Sequence, residues 1–234
     1  MSAPSIPTHE GIHVYAAVLD VLGYRARLAQ DRNSGTPQFK TLLQNAMAVL
    51  NQVNEAECGF QVISDTIFLT WFAQSTFKSF LETNKRLFVA FLEQGLFLRG
   101  GITYSQHFKS GYVTYSYAFA GAYDLESKSA IYPRIVIDEN IIELFQNSEG
   151  SLDFTDLVKS KLILRVNGTC FLNIIDDENW STLRDKAAAL FENDRAALAG
   201  NESAFAKHVW FENYLFQSKC ALGERYIPKP SLVK

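Results

Sequence analysis

Two aspartates in this sequence stand at positions where carboxylates are unusual. Asp20 interrupts an apolar, β-branched run (VYAAVLDVL), and Asp65 lies at the turn of the apolar segment Gly59–Trp71. A buried, unpaired carboxylate costs several kcal/mol, so each side chain needs a cation, hydrogen bonds or water. Neighbouring strands of one sheet could bring both to one pocket, where paired carboxylates suit Mg²⁺ or Mn²⁺ bound to phosphates. Because aspartate is also a common turn residue, each could instead cap a turn independently.

The elements that position these aspartates follow from the hydrophobic pattern. His13–Leu22 predicts a buried strand that ends at the following glycine. A first helical turn and a polar loop (Asn33 to Pro37) come next, before a helix over Phe39–Asn54 with apolar residues at helical spacing. The segment Gly59–Trp71 alternates and turns at Ser64-Asp65, which predicts a hairpin.

The rest of the chain continues as mixed helix and strand. The remaining segments are a helix over residues 75–94, a strand over Leu96–Phe108 interrupted by Gly100-Gly101, a helix over Phe119–Lys128, a strand over Tyr132–Asp138, a hairpin over Leu162–Ile175 around Asn167-Gly168, and helices over residues 180–219. This order predicts an α+β fold in which helices cover a mainly antiparallel sheet, with a C-terminal β-hairpin and helical extension. We expect a single domain over residues 13–234 after a flexible N-terminal tail over residues 1–12.

Composition narrows the classes of function. With 234 residues, of which 47% are hydrophobic and 20% charged, the chain can fill a core and is not disordered in bulk. The net charge of −3 argues against a nucleic-acid binder. The three cysteines are widely spaced, and no apolar run reaches the ~18 residues of a membrane span, so we expect a cytoplasmic protein that binds no membrane. The HExxH pattern of zinc proteases occurs over His9–His13, but its internal glycine and the strand pattern that follows argue against the required helix.

Five short segments in chain order resemble one enzyme family. They are Asp20-Val21-Leu22-Gly23-Tyr24, Ser64-Asp65, Leu98-Arg99-Gly100-Gly101-Ile102, Ala122-Tyr123-Asp124-Leu125-Glu126-Ser127 and Tyr132-Pro133-Arg134-Ile135-Val136-Ile137-Asp138. Together they are similar to the class III nucleotide cyclases, and most similar to the bacterial pyrimidine cyclases of Pycsar antiphage defence. The resemblance spans residues 13–138 and implies the ferredoxin-like βαββαβ core of that family.

The resemblance implies a site for two divalent ions, Mn²⁺ or Mg²⁺. Asp20, Asp65 and the backbone carbonyl of Val21 would bind them, and the amides of the turn Leu22 to Arg25 would cradle the triphosphate. Attack of the ribose 3′-oxygen on the α-phosphorus would then yield a 3′,5′-cyclic nucleotide and pyrophosphate. The implied substrate-binding residues are Leu22, Gly23, Tyr24, Arg25, Gln61, Ser64 and Arg99.

Departures from the purine-cyclase pattern argue against an adenylate or guanylate cyclase. Gln61, an amide that can donate and accept, stands where those enzymes have a base-selecting lysine. Ala120 and Asp124 stand where they have an asparagine and a transition-state arginine, so a cation such as Arg25, Arg99 or Lys128 would have to serve. The resemblance to the pyrimidine cyclases, and no residue here, implies a uridylate cyclase using UTP, with CTP as the other pyrimidine candidate. The family also implies a homodimer with active sites at its interface, and a cyclic product that activates a separate effector protein.

Two other functions remain open from the sequence. A catalytically degenerate cyclase fold could act as a nucleotide-sensing or dimerisation module, which the missing arginine and asparagine favour and the two retained aspartates disfavour. Nucleic-acid polymerisation or dinucleotide synthesis uses related two-metal chemistry, but the GGDEF signature of diguanylate cyclases is absent.

Overall fold

The apolar strand near the start of the chain forms the centre of the sheet. The computed structural model describes residues 11–72, 77–110, 113–147, 152–218 and 225–228. Strand β1 (Ile12–Val21) pairs antiparallel on one side with β3 (Thr66–Phe72) and on the other with β4 (Leu98–Ser110). From Val14 onward its side chains are buried, apart from the partly buried Asp20, as expected for a central strand rich in Val, Ala and Leu.

The first half of the chain has the predicted βαββαβ order. After β1 come α1 (Tyr24–Ser34), α2 (Gln38–Met47), a short 3₁₀ helix (Ala48–Gln52), β2 (Cys58–Ile63), β3, α3 (Phe77–Glu93) and β4. The four strands lie in the order β2-β3-β1-β4, all antiparallel, which is the ferredoxin-like arrangement. The predicted α+β fold with this core is confirmed.

The second half extends the same sheet and adds helices. It contains β5 (Val113–Ser116), α4 (Tyr117–Lys128), β6 (Ile135–Ile137), α5 (Glu139–Asn147), α6 (Leu152–Lys159), β7 (Ile163–Val166), β8 (Thr169–Leu172), α7 (Trp180–Leu198) and α8 (Glu202–Ser218). Strand β6 pairs parallel with β4, and the β7–β8 hairpin continues the sheet beyond β6. The hairpin turns at Asn167-Gly168, where both residues have positive φ, as Asn-Gly favours.

The two faces of β1 have different surroundings. Because side chains alternate along a strand, Tyr15, Leu19 and Val21 join the main hydrophobic core, which also contains most of the buried side chains of α3. Val14 and Ala16 face the other way and pack with Ala118 of α4 in a smaller cluster. Asp20 belongs to this second face.

The glycine pair in β4 does not interrupt the strand, which corrects the prediction. A Cβ atom on Gly100 would lie 2.6 Å from the Val18 carbonyl oxygen, and one on Gly101 would lie 2.4 Å from the Ala122 carbonyl oxygen. The glycines are therefore required because β1 and α4 approach the β4 backbone too closely for any side chain. They set how tightly α4 packs on the sheet.

Several predicted boundaries differ from the structure. Residues 24–34 form a full helix rather than one turn and a loop; α1 buries none of its residues, so it carries no apolar stripe. The helix predicted over Phe39–Asn54 tightens into a 3₁₀ helix after Met47, and in Tyr132–Asp138 only β6 is a strand. The elements β5, α5 and α6 had not been predicted. Residues 1–10 of the predicted tail lie outside the described residues. Residues 75 and 76, the start of the helix predicted over residues 75–94, also lie outside them.

Two further findings concern the HExxH pattern and the search for membrane-spanning helices. His13 lies in β1, so the second histidine of the HExxH pattern is in a strand and not in a helix. Within the described residues, no helix has both the length and the apolar character needed to cross a membrane.

Candidate functional site

The two aspartates singled out from the sequence meet at one end of the sheet. Asp20 pairs in register with Thr66, the residue after Asp65. The Val21 amide donates a hydrogen bond to the Asp65 carbonyl oxygen at 3.0 Å, so the ends of β1 and of the β2–β3 hairpin are joined here. Asp20 and Asp65 are both only partly buried. The sheet therefore places the two residues side by side at an edge that solvent reaches.

Arg99 enters this site from β4, the strand on the other side of β1. It pairs in register with Asp20, and its Nε donates to an Asp20 carboxylate oxygen at 3.0 Å. Its Nη2 lies 2.7 Å from the carboxylate of Glu126 on α4. Register pairing alone puts Arg99 on the same face as Asp20, because directly opposed residues of paired strands share a face. Arg99 thus joins the sheet to α4 across the site.

Glu126 is a third carboxylate at the site, and the sequence analysis gave it no role beyond its place in a segment that resembles the cyclases. Its side chain is 6% exposed, and its carboxylate Oε1 has the distance of an ion pair with Arg99 but not the alignment of a hydrogen bond. Burial raises the pKa of Glu126, the Arg99 charge opposes that rise, and the negative charges of Asp20 and Asp65 add to it. Both aspartates therefore lie close enough to Glu126 to repel its charge. A buried glutamate on a helix has no distinguishing mark in the sequence.

A turn beside these carboxylates exposes backbone donors. Gly23 has φ 80° and ψ 7° and precedes α1, whose first turn has no side-chain cap. The Leu22 amide is already bonded to the Phe97 carbonyl oxygen at 2.9 Å, which fixes the turn to the start of β4. Like the first amides of any α-helix, those that follow Gly23 have no acceptor within the helix, and the N-terminal end of a helix attracts anions. Gly23 permits the left-handed conformation that this turn needs.

The other predicted substrate residues lie around this centre but not all point into it. Gln61 pairs in register with Phe68, whose ring packs on Phe119 of α4, so Gln61 is on the same face as Asp20. Ser64 is exposed at the hairpin turn, with φ 59°. Tyr24 packs edge-to-face against Phe39 at 5.2 Å, which directs it toward α2. The substrate role predicted for Tyr24 belongs to its backbone amide, so it does not depend on this ring contact and stays a prediction.

The cations considered for the missing arginine differ in position. Asp124 and Lys128 form an exposed pair at 2.9 Å on the outer side of α4, and Ala120 is exposed one turn earlier. Arg25 is exposed in the first turn of α1. Of the three predicted candidates, Arg99 is the one that contacts an aspartate of the site.

The donor set fits a divalent cation that is shared with a substrate. Among the described residues, no three side chains of His, Cys, Asp or Glu converge as a ready cage for a metal. Two carboxylates from Asp20 and Asp65 would leave most coordination positions to water and to phosphate oxygens, which is how Mg²⁺ is commonly held. Three carboxylates stand near the single positive charge of Arg99, and the net negative charge of the site would attract such an ion.

Comparisons with known proteins give likeness only at the level of structure. Scans against known protein families and curated proteins find no match. One similar structure is the monomeric guanylyl cyclase domain of the RhoGC fusion protein from the aquatic fungus Blastocladiella emersonii, with 14% identity over 69% of this chain and 94% of that chain and a TM-score of 0.44. Another is the guanylate cyclase domain of RhGC from Catenaria anguillulae in complex with GTP, with 12% identity, coverage of 70% and 97%, and a TM-score of 0.43. A third is a bacterial light-regulated adenylyl cyclase, with 11% identity over 76% of this chain and 98% of that chain and a TM-score of 0.42.

Proposed function

We propose that this protein is a nucleotide cyclase that converts UTP, or alternatively CTP, to its 3′,5′-cyclic monophosphate and pyrophosphate. The observation that carries the proposal is the convergence of Asp20 and Asp65 beside the open turn at Gly23. Carboxylates that hold cations and backbone amides that bind phosphate are the two parts that a triphosphate site needs. Both are present at one solvent-accessible end of the sheet.

The positions of the residues suggest which part of the reaction each would serve. Asp20 and Asp65 would hold two divalent ions, Mn²⁺ or Mg²⁺, which supply Lewis acidity to the ribose 3′-hydroxyl and the triphosphate when bound. The amides that follow Gly23 would bind phosphate oxygens. The 3′-oxygen forms a bond to the α-phosphorus, the bond from that phosphorus to the pyrophosphate oxygen breaks with its electron pair, and the hydroxyl proton passes to water.

Arg99 is the best-placed protein cation for the transition state. Its ion pair with Asp20 competes with a metal for the same carboxylate, so cation binding at Asp20 would free the Nε side of Arg99. Glu126 would keep its hold on the other side of the guanidinium, because that carboxylate is buried and has no alternative cation at this distance among the described residues. Arg99 would then present its freed nitrogen to a phosphate oxygen.

Gln61 is compatible with a pyrimidine base and does not choose between the two. An amide side chain can donate one hydrogen bond and accept another, and turning it over reverses the two roles. It can therefore match the edge of uracil or that of cytosine. We favour UTP, on the family that the sequence resembles, and extend the proposal to second-messenger synthesis for an effector in antiphage defence.

A second copy of the chain is the proposed partner. Large apolar side chains are exposed on the edge strand β2 and on β5 and the start of α4: Phe60, Val62, Ile63, Val113, Tyr115 and Tyr117. An apolar surface of this kind commonly marks an interface. A homodimer that covers it would place the site near the subunit boundary, as the resemblance implies, and light scattering would give the mass.

The decisive experiment is a product assay. Purified protein is incubated with Mn²⁺ and each of ATP, GTP, CTP and UTP, and products are identified by mass spectrometry. We expect cyclic UMP or cyclic CMP, and a loss of about 10²-fold or more in Asp20→Asn and Asp65→Asn, since metal contacts contribute several kcal/mol to such reactions. Asp185→Asn is the matched control, because Asp185 is an exposed carboxylate on α7.

Each other outcome has a definite meaning. Cyclic AMP or cyclic GMP would keep the cyclase and reject the pyrimidine substrate. No product from any of the four nucleotides would reject the enzyme and favour the nucleotide-sensing module, for which the ion pair between Asp20 and Arg99 is the supporting observation. Activity retained in both aspartate variants would reject the assignment of the site.

A further inference from the structure

Lys207 of α8 is a cation close to the site that sequence reasoning did not consider. It is half-buried, and the polar atom nearest its ammonium group among the described contacts is the Ser203 hydroxyl at 3.5 Å. No carboxylate of the described residues lies within ion-pair distance of it. Burial lowers the pKa of Lys207, repulsion from Arg99 lowers it further, and attraction to Asp20 opposes both. Lys207 is thus within electrostatic reach of both Arg99 and Asp20.

One cavity joins Lys207 to the open turn before α1. It has a volume of about 400 Å³ and is lined by Leu22 and Gly23 on one side and by Ser203 and Lys207 on the other. This volume is in the range of small-molecule sites and would accept a di- or triphosphate group. The turn and the lysine therefore face the same space.

The charges that line this cavity leave a positive surplus. Arg27 and Asp194 also line it, but they neutralise each other in an ion pair at 2.9 Å. Burial lowers the pKa of His208, the remaining titratable group of the lining, to about 4, so it is neutral near pH 7. Lys207 is therefore the unbalanced charge of the cavity, and its sign fits an anionic ligand.

Helix α8, which carries Lys207, and the preceding helix α7 are held firmly in place. The Arg27–Asp194 pair ties α7 to α1, the helix that begins at the open turn. The ring of His208, next to Lys207 in α8, packs edge-to-face on Phe97, and the Phe97 carbonyl oxygen accepts the Leu22 amide. The position of Lys207 relative to the turn is therefore set by the fold.

We propose that Lys207 binds the terminal phosphates of the nucleoside triphosphate and stabilises pyrophosphate as it leaves, which makes the α7–α8 hairpin part of the active site. The proposal rests on the proposed function for its substrate. Arg99 is engaged by two carboxylates, whereas Lys207 faces the phosphate-binding turn with its charge unbalanced. It would supply a second protein cation where α4 carries Ala120 and Asp124.

The test uses inorganic tripolyphosphate with Mn²⁺ as the probe, and calorimetry to measure its binding to the full chain. We expect Lys207→Met to weaken binding about 10-fold or more, since a charge-assisted contact is lost, and Lys207→Arg to restore most of it. Lys186→Met is the control, because Lys186 is an exposed lysine of α7. Mn²⁺ binding without tripolyphosphate should not weaken in Lys207→Met, because loss of a positive charge near Asp20 does not disfavour a cation there, whereas disruption of the fold at the site would weaken it.

The outcomes separate this proposal from the cyclase proposal. Unchanged tripolyphosphate binding in Lys207→Met would overturn the role of Lys207, even if Asp20→Asn abolishes the cyclic product. If the unaltered protein forms no product, the cyclase proposal fails while the tripolyphosphate comparison still decides the role of Lys207. Should Lys207→Met not fold, Lys207→Gln is judged by the same binding measurement.

Discussion

Two arginine–aspartate pairs lie on opposite sides of the turn at Gly23, with nearly the same geometry. Arg99 and Asp20 are 3.0 Å apart with side chains 26% and 22% exposed, and Arg27 and Asp194 are 2.9 Å apart with 22% and 27% exposed. Distance and exposure therefore do not distinguish them. Any difference in function must come from their surroundings.

The surroundings differ in charge. Arg99 is shared by two carboxylates, with Asp65 close enough to add a third, so its side of the turn has a negative surplus. Asp194 has Arg27 at ion-pair distance and the neutral His208 ring at 3.8 Å, so the charges of this pair balance each other. A surplus of carboxylates attracts a cation, whereas a balanced pair holds helices together. We therefore expect the first pair to belong to the proposed site and the second to act as a clamp between helices.

The largest effect is expected from a change that separates Arg99 from Glu126. In Gly101→Ala the new Cβ would lie 2.4 Å from the Ala122 carbonyl oxygen, so α4 must move off the sheet, and Glu126 moves with it. Overpacking against backbone costs about 3 kcal/mol at the upper end of its usual range. Chemical denaturation measures this loss, and Mn²⁺ binding should weaken as well.

Gly35→Ala is the control for the backbone contribution. A Cβ there meets nothing within 4 Å, but φ is +69°, so strain alone should cost about 1 kcal/mol. If the two variants lose equal stability, the close approach of α4 to β4 does not matter and the glycine pair needs another explanation.

The sequence singles out the two aspartates because each breaks an apolar pattern. A run of consecutive apolar residues predicts a buried strand such as β1, and a carboxylate within that run needs a partner. The same reasoning found the hairpin that presents Asp65. Strong periodicity also placed α3, up to the glycine that follows it.

The rest of the site depends on contacts that no local pattern encodes. Glu126 lies on a short helix among exposed polar residues, and its burial follows from the glycines of β4, far away in sequence. Lys207 reaches the site because α8 folds back against Phe97. Helix α1 was underestimated because it buries nothing, so its extent depends on backbone hydrogen bonds and not on an apolar stripe.

A smaller effect is expected from breaking the clamp. Arg27→Met leaves Asp194 without its cation in a partly buried position, which should cost about 2 kcal/mol, reduced from the fully buried case because water reaches both side chains. Asp20→Asn should cost less in the metal-free protein, because it also relieves repulsion from Asp65 and Glu126.

Metal binding gives the opposite ranking and so sharpens the contrast between the two pairs. Mn²⁺ should raise the melting temperature of Arg27→Met as much as that of the unaltered protein, and should not raise that of Asp20→Asn. Equal responses of the two variants to Mn²⁺ would show that the pairs are not functionally distinct.

The smallest effect tests whether the clamp side is neutral, through its histidine. The pKa of His208 is about 4 in the folded protein and about 6.5 when exposed, so below about pH 6.5 the unfolded chain takes up a proton that the folded chain refuses. Stability is therefore lost as the pH falls from about 6.5 to about 4. His208→Gln removes this contribution, so the stability advantage of the unaltered protein over the variant should shrink by about 1–2 kcal/mol between pH 7 and pH 4.5 in urea titrations.

Asp194, Arg27 and Lys207 face the ring and are present in both proteins, so their own titration largely cancels in the difference. A difference that stays constant with pH would mean that His208 has the same pKa in the folded and unfolded chains, so that burial does not keep its ring neutral as the pH falls below 6.5.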